Sequence, residues 1–267
     1  MRNIKHIIST CNPEIKEITK LHDSKFRKNS NKCLFQNIRA IETALQANLK
    51  LDKIYITEPN LQLILNLFKS YNINNSLITL VSESIINKIS TLKNSSGIVA
   101  TFYIKENNIK TLKSCTSGLV LAQINDPGNM GTLIRTSVAC NIKNIFIIEG
   151  ADPYSSKVIQ ASAGTIALAD IYQISWQELI DYKEDLKLYA LVAKNGESIF
   201  NENFCKPADN NNILLVVGNE ANGIKAEWLN DCNKLITLKM PGNTESLNAA
   251  IAGSIALYIA FCQNNNI

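Results

Sequence analysis

Histidine is nearly missing from this chain of 267 residues: only His6 and His22 occur, both at its start. Everything beyond them lacks an imidazole for a Ser/His/Asp triad, a proton shuttle or a histidine-ligated zinc. Cysteine is present but never as CxxC. The seven thiols, at 11, 33, 115, 140, 205, 232 and 262, are odd in number and scattered, the pattern of reduced structural cysteines. No GxGxxG follows a strand-like run. Gly218 and Gly223 have the spacing of a phosphate loop, but Ile224 stands where lysine is required and Lys225 comes one place late. No apolar run is long enough to span a bilayer, and the opening MRNIKHIISTCNPE turns polar too soon for a signal peptide, so a cytoplasmic protein is expected.

The charge that is present is unevenly placed. A net +4 hides 17 Lys and Arg against 8 Asp and Glu in residues 1–117, and 10 against 15 in residues 118–267. A basic front half joined to an acidic back half suggests that the front half meets a polyanion; a solvated lysine-rich surface is the plain alternative.

The 46% hydrophobic and 19% charged fractions describe a globular chain long enough for two domains. From Glu14 to Lys28, Ile15, Ile18 and Leu21 recur at near-helical spacing with bases opposite, which predicts one cationic amphipathic helix. Strand-like and helical runs then alternate through Lys32–Phe35, Ile38–Ala47, Lys53–Thr57, Leu61–Tyr71, Ser76–Val81, Glu83–Ile89 and Gly97–Tyr103. Residues 1–104 therefore read as a small α/β domain and the polar stretch 105–117 as a linker. Residues 118–267 read as a second α/β domain. Apolar strands at 119–124, 144–149, 186–193, 213–218 and 234–240, separated by helices near 130–140, 155–163, 176–184 and 225–231, imply a parallel sheet covered on both faces.

Three polar constellations follow strands, where open α/β sheets bind ligands. In NDPGNMGTLIRTSVACN (125–141), Arg135 lies among apolar residues of a helix; a buried guanidinium needs either a structural salt-bridge partner or a ligand. Asn129 serves equally well as the N-cap of that helix. In VVGNEANGIK (216–225), Glu220 follows Gly218 and is by itself a cap or a solvated loop carboxylate. In LKMPGNTESLNAAIAGSIALYIAF (238–261), a strand end passes Pro241 and Gly242 to a helix capped by Thr244 or Ser246, with Asn243, Glu245, Ser246 and Asn248 at its start. That helix is apolar on nearly every face, and Ala249, Ala252, Gly253, Ala256, Leu257 and Ala260 suit it to a buried or intersubunit position.

Together, DPGNMGxxxR, VVGNEANG and MPGNTESLNAA, in this order after successive strands, resemble the TrmH (SpoU) branch of the SPOUT RNA methyltransferases over about 118–262. NPEIKEITKL, KFRKNSNKCLF and LKNSSGIVATF resemble, more loosely, the substrate-binding domain of the ribosomal-RNA members. Gln36 and Asn37 depart from that pattern, where Glu-Gly is usual, and so does Gln160, near which an arginine is common.

The resemblance implies a parallel-sheet domain with a deep trefoil knot, an exception to the rule against threading. It implies S-adenosylmethionine as cofactor, contacted at Gly218, Leu238, Leu247, Met240 and Ala193, and a homodimer through the first and last helices of the second domain. The reaction implied is methyl transfer to a ribose 2′-hydroxyl, with Arg135 as catalytic arginine and Asn129, Glu220, Ser246 and Asn248 positioning it, the ribose and the loops. No metal is needed, because the thioether leaves without Lewis-acid help. The expected substrate is ribosomal RNA of the large subunit, held through phosphates by Lys25, Arg27, Lys28 and Lys32 of the first domain. The same reaction on transfer RNA, and a catalytically silent RNA-binding assembly factor, are the alternatives.

Overall fold

The computed structural model describes residues 4–92, 94–107, 117–183, 186–200, 213–242 and 246–262. It resolves into two compact units, residues 1–105 with 152–167, and residues 106–151 with 168–267. The middle of the expected linker, 108–116, lies outside the described residues.

In the first unit, strands β1 (Lys5–Ile7), β2 (Lys32–Phe35), β3 (Leu51–Ile56), β4 (Ile78–Val81) and β5 (Ile98–Tyr103) form a mixed sheet in the order β1-β4-β3-β5-β2. The β1-β4-β3 part is parallel, and β5 runs antiparallel to both β3 and β2. Helices α1 (Pro13–Lys20), α2 (Ser24–Ser30), α3 (Ile38–Gln46), α4 (Leu61–Ser70) and α5 (Glu83–Ile89) accompany it. Ile15, Ile18, Leu21, Ile85, Ile86 and Ile89 bury their side chains with Leu34, Tyr55 and Val99 of the sheet. Burying each such side chain contributes about 1.5–3 kcal/mol.

The single helix expected over Glu14–Lys28 is instead two. Asp23 accepts a hydrogen bond from the Phe26 N–H at 2.8 Å and caps α2, so the chain breaks and restarts at His22 and Asp23. α2 then ends on Asn31 in the left-handed region, φ 52°. Glu14 of α1 is the hub of a polar cluster. It accepts from Lys5, from Lys53 Nζ at 2.8 Å and from the Tyr55 hydroxyl at 2.8 Å. Burial pushes its carboxyl up, but these donors outweigh burial and hold it at about 2.

The second unit is built on a seven-stranded parallel sheet, ordered β10-β12-β9-β11-β6-β7-β8. Its strands are β6 (Ser117–Ala122), β7 (Asn144–Ile148), β8 (Asp170–Gln173), β9 (Lys187–Leu191), β10 (Glu197–Ser198), β11 (Ile213–Val217) and β12 (Lys234–Thr237). Strand β11 is inserted between β9 and β6, both laid down earlier in the chain. The helices are α6 (Pro127–Ala139), α8 (Trp176–Tyr182), α9 (Ala226–Leu229) and α10 (Ala249–Cys262). On one face Trp176 and Trp228 stack with ring centres 4.9 Å apart over Phe146, Leu188 and Leu214. α10 packs on α6: a Cβ on Gly253 would lie 2.5 Å from Leu133 Cδ2 and 3.1 Å from Val217.

The small face of α10 is therefore spent inside its own chain, where Ala250, Gly253, Ala256, Leu257 and Ala260 are buried. Its exposed face carries the large residues Ile251, Ile255 and Tyr258. Among the described residues no helix is long and apolar enough to cross a membrane.

Helix α7 (Ser156–Ala161), expected to cover the second sheet, belongs to the first unit with the rest of 152–167. The chain leaves the parallel sheet after β7, contributes this segment, and returns at β8. Asp152 fastens it: Oδ2 accepts from Arg27 Nη2 at 2.6 Å, Arg27 Nε at 3.0 Å and Ser24 Oγ at 2.8 Å.

Candidate active site

Strand ends build the site. Beyond β11 the chain turns back on itself through paired Asn219 and Gly223, whose backbone N–H and C=O groups bond reciprocally at 3.0 Å. This turn closes tightly over Gly218, where a Cβ would lie 2.5 Å from the Gly223 carbonyl carbon. The Asn219 side chain fixes the turn, accepting from Ala221 and Asn222 N–H and donating to the Gln123 carbonyl at 2.9 Å. Gln123 and Glu149, the residues that follow β6 and β7, take positive φ values of 58° and 50°. Glu149 accepts from Lys225 Nζ at 2.8 Å and from Gln123 Nε2 at 2.9 Å, and the Lys225 partnership holds its carboxyl below the ordinary range.

The loops after β9, β11 and β12 enclose a cavity of about 460 Å³. Ala193, Gly218, Glu220, Leu238, Met240, Ser246 and Leu247 all line it, so one space gathers seven of the ten positions named as catalytic or cofactor-contacting. Leu191, Val217, Ile224 and Leu229 complete its apolar wall. None of these four was expected to line a site, since an apolar residue at a strand end, in a turn or on a helix looks like any core residue.

Two further positions stand in a chain of amides. Asn248 Oδ1 accepts from the Ala250 and Ile251 N–H groups at 2.9 and 3.2 Å, which makes Asn248 the cap of α10 in place of Thr244 or Ser246. Its Nδ2 must therefore donate, and it does so to Asn129 Oδ1 at 3.1 Å. Asn129 Nδ2 then donates to Glu220 Oε1 at 2.7 Å. The cap of α6 is Asp126, which accepts from the Asn129 N–H at 2.8 Å, so the Asn129 side chain is free for this chain of bonds.

Arg135 differs from expectation. It is exposed on α6, does not line the cavity, and makes no hydrogen bond or ion pair with a described residue. Leu133 and Ile134 are buried, but each helical residue turns about 100°, which carries Arg135 to the solvent side. Asn243, Thr244 and Glu245 lie outside the described residues.

Of the four bases expected to meet RNA, Lys25 and Lys28 are exposed. Arg27 is not: it is 4% exposed, donates to the Leu21 carbonyl at 2.6 Å, and is neutralised by Asp152. Its guanidinium is a structural group. Lys32 pairs with Asp52 at 2.9 Å and lies over the Tyr103 ring. Among the described residues no three His, Cys, Asp or Glu side chains are grouped to hold a metal ion. Cys11, Cys33, Cys140 and Cys232 are reduced thiols outside any disulfide, and burial pushes Cys33 and Cys232 up to about 12.

The SpoU rRNA Methylase family profile matches residues 117–258, the span that carries this cavity. The chain belongs to the SpoU family. An MRM3-like substrate binding domain matches residues 12–100. Among relatives, an uncharacterized tRNA/rRNA methyltransferase of Synechocystis is 28% identical, covering 97% of this chain and 94% of the relative. The 23S rRNA (guanosine(2553)-2′-O)-methyltransferase RlmP of Bacillus subtilis is 24% identical over 96% of this chain and 98% of its own. The crystal structure of an AdoMet-bound rRNA methyltransferase from Sinorhizobium meliloti has the same fold, with TM-score 0.84 at 22% identity, covering 96% of this chain and 97% of that one. The SpoU fold thus arises here from an α/β chain whose second unit is a parallel sheet.

Proposed function

We propose that this SpoU-family enzyme methylates ribose 2′-hydroxyls of ribosomal RNA, taking S-adenosylmethionine as its cofactor and the large-subunit RNA as its substrate. One observation carries the reading: two of the motif stretches, far apart in sequence, line one cavity, and the first is tied to its wall through the bond from Asn129 to Glu220. At about 460 Å³ the cavity falls in the usual range of small-molecule sites, roughly 300–1,000 Å³. Its walls suit the cofactor: Leu191, Val217, Leu229 and Leu238 offer an apolar slot for a purine, and Glu220 a carboxylate facing a cationic group.

When bound, S-adenosylmethionine supplies an electrophilic methyl group on a sulfonium. The protein must position the hydroxyl and manage its proton. The Arg135 guanidinium has only N–H donors and no acceptor, so its role is electrostatic: it holds an RNA phosphate and stabilises the developing alkoxide. Glu220 Oε1 is committed to Asn129, whereas Oε2 has no partner among the described residues and is available to the 2′-hydroxyl proton. Ser246 lines the same cavity beside Leu247 and supplies a further hydroxyl toward the ribose.

The chain acts as a homodimer in this reading, with the exposed Ile251, Ile255 and Tyr258 face of α10 against a second copy and Arg135 of α6 at the shared edge. A continuous apolar face of this kind is what monomers avoid and interfaces use. The trefoil knot of this reading lies in the loops after Gly218 and Met240, and residues 1–104 are the RNA-binding domain, of which Lys25 and Lys28 are the phosphate contacts. A cytoplasmic location accompanies a ribosomal substrate.

The test is incubation of the purified protein with labelled S-adenosylmethionine and total RNA, followed by separation of the RNAs. Label in large-subunit RNA as a ribose-methylated nucleotide supports the reading. Cofactor binding without label in any RNA from cells lacking the enzyme contradicts it.

A further inference from the structure

Gln36, just after β2, is 7% exposed, and its Nε2 is a buried donor with no partner among the described residues. The amide cannot be turned round to relieve this. Oε1 accepts from the Thr91 N–H at 2.9 Å, an obligatory donor, and from the Ser90 and Thr91 hydroxyls at 3.1 Å each. Nε2 therefore keeps two N–H bonds out of water, at a cost of about 1–3 kcal/mol when unmet.

Gln36 lines a small cavity with Asn37, Ala40, Ser156, Ile159 and Gln160, all of the first unit. Its volume of about 10 Å³ is room for one oxygen atom. Among the described residues no carboxylate lines it. Helix α3, nine residues long, starts at the same place. The Asn37 side chain satisfies only the Ala40 N–H, at 2.8 Å, so the Ile38 and Arg39 N–H groups face outward without a partner among the described residues. The first turn has no acidic residue, and Arg39 on it is exposed and unpaired among the described residues.

We propose that the Gln36 amide, the α3 N-terminus and Arg39 form a sugar-phosphate subsite of the first unit, in which one phosphate oxygen of RNA satisfies Gln36 Nε2. The inference rests on the RNA reading above. The unmet groups gathered here are donors: a buried amide, two backbone N–H groups at the positive end of a helix, and a guanidinium, beside the Ser156 and Gln160 side chains that line the same cavity. These donors are matched by an oxyanion. The subsite takes backbone and not base edges, so it holds RNA in register without reading its sequence.

The test is binding of purified 23S rRNA to the full chain by fluorescence anisotropy across a salt series, with methyl transfer and Tm measured on the same samples. Arg39→Ala removes an exposed cation and should weaken binding about 5–10-fold and reduce the salt slope by about 1, with Tm unchanged. Gln36→Glu keeps an oxygen for Thr91 and Ser90 but replaces the donor by an anion; it should weaken binding about tenfold and raise KM for RNA with kcat unchanged. Wild-type transfer with RNA affinity unmoved by Arg39→Ala means the cavity holds a water and overturns the subsite alone. Wild type that neither binds nor methylates RNA overturns the RNA reading and the subsite with it.

Discussion

Asn129 and Asn248 are 119 positions apart and joined side chain to side chain at 3.1 Å. The bond has a fixed direction, because Asn248 Oδ1 is spent capping α10 and only its Nδ2 can face Asn129. The direction is passed on to Glu220, which must accept. Asn129→Asp reverses one link: it cannot donate to Glu220 and sets two carboxylates against each other. Transfer should fall about 100-fold, the order expected when a site loosens by about 1 Å, while Glu220→Gln, which still offers an accepting oxygen, should retain the Asn129 bond and its Tm. Steady-state kinetics with thermal melts on both variants checks this.

Arg135 is exposed and free of protein partners among the described residues. Arg135→Ala should therefore leave Tm and cofactor affinity within error and lower methyl transfer at least 100-fold, with Arg135→Lys recovering part of it. Calorimetric cofactor titration beside a transfer assay separates the two effects.

Arg27 and Lys28 are neighbours with opposite duties. Arg27→Ala strands the Asp152 carboxylate and should cost about 3–5 kcal/mol. Charge reversal at Lys25 and Lys28 should leave Tm unchanged and lower both RNA affinity and its salt slope. Melting curves and RNA titrations at two ionic strengths distinguish them.

Acid should weaken the first unit in two stages. Burial, with the Arg27 charge beside it, lowers the His22 pKa despite a bond to the Ile89 carbonyl, so the folded state favours neutral imidazole and loses stability as pH falls below 6.5. Glu14 is held at about 2 against an ordinary 4.5, so its contribution is full above 4.5 and is lost as pH falls from 4.5 toward 2. Glu14→Gln should lower Tm at pH 7 and approach wild type near pH 2; a difference that persists there would contradict the assignment.

Gly218→Ala places a methyl group 2.5 Å from the Gly223 carbonyl carbon, backbone that cannot swing aside. The loop must open, at about 1–3 kcal/mol, and cofactor affinity should fall at least tenfold by calorimetry.

The strands were legible because a parallel sheet covered on both faces leaves continuous apolar runs such as ILLVV and NIFII. β8 and β10 were not, being edge strands of four and two residues with little apolar length. Motif residues that line the cavity could be named because their stretches resemble those of the TrmH (SpoU) methyltransferases. The orientation of Arg135 could not, since α6 is apolar on most sides and sequence neighbours say little about which way one residue turns. Arg27 looked like Lys25 and Lys28 because what distinguishes it, Asp152, lies 125 positions away. The same separation hid the passage of 152–167 into the first unit. The α1–α2 break turned on one cap, Asp23, within an otherwise unbroken apolar spacing.

The most direct test of the account is mass spectrometry of nucleosides from large-subunit RNA after incubation with the protein and S-adenosylmethionine bearing a deuterated methyl group. One nucleoside should carry the deuterated methyl on its ribose, with none formed by the Arg135→Ala enzyme. Label on a base, or equal ribose labelling by wild type and Arg135→Ala, would contradict it.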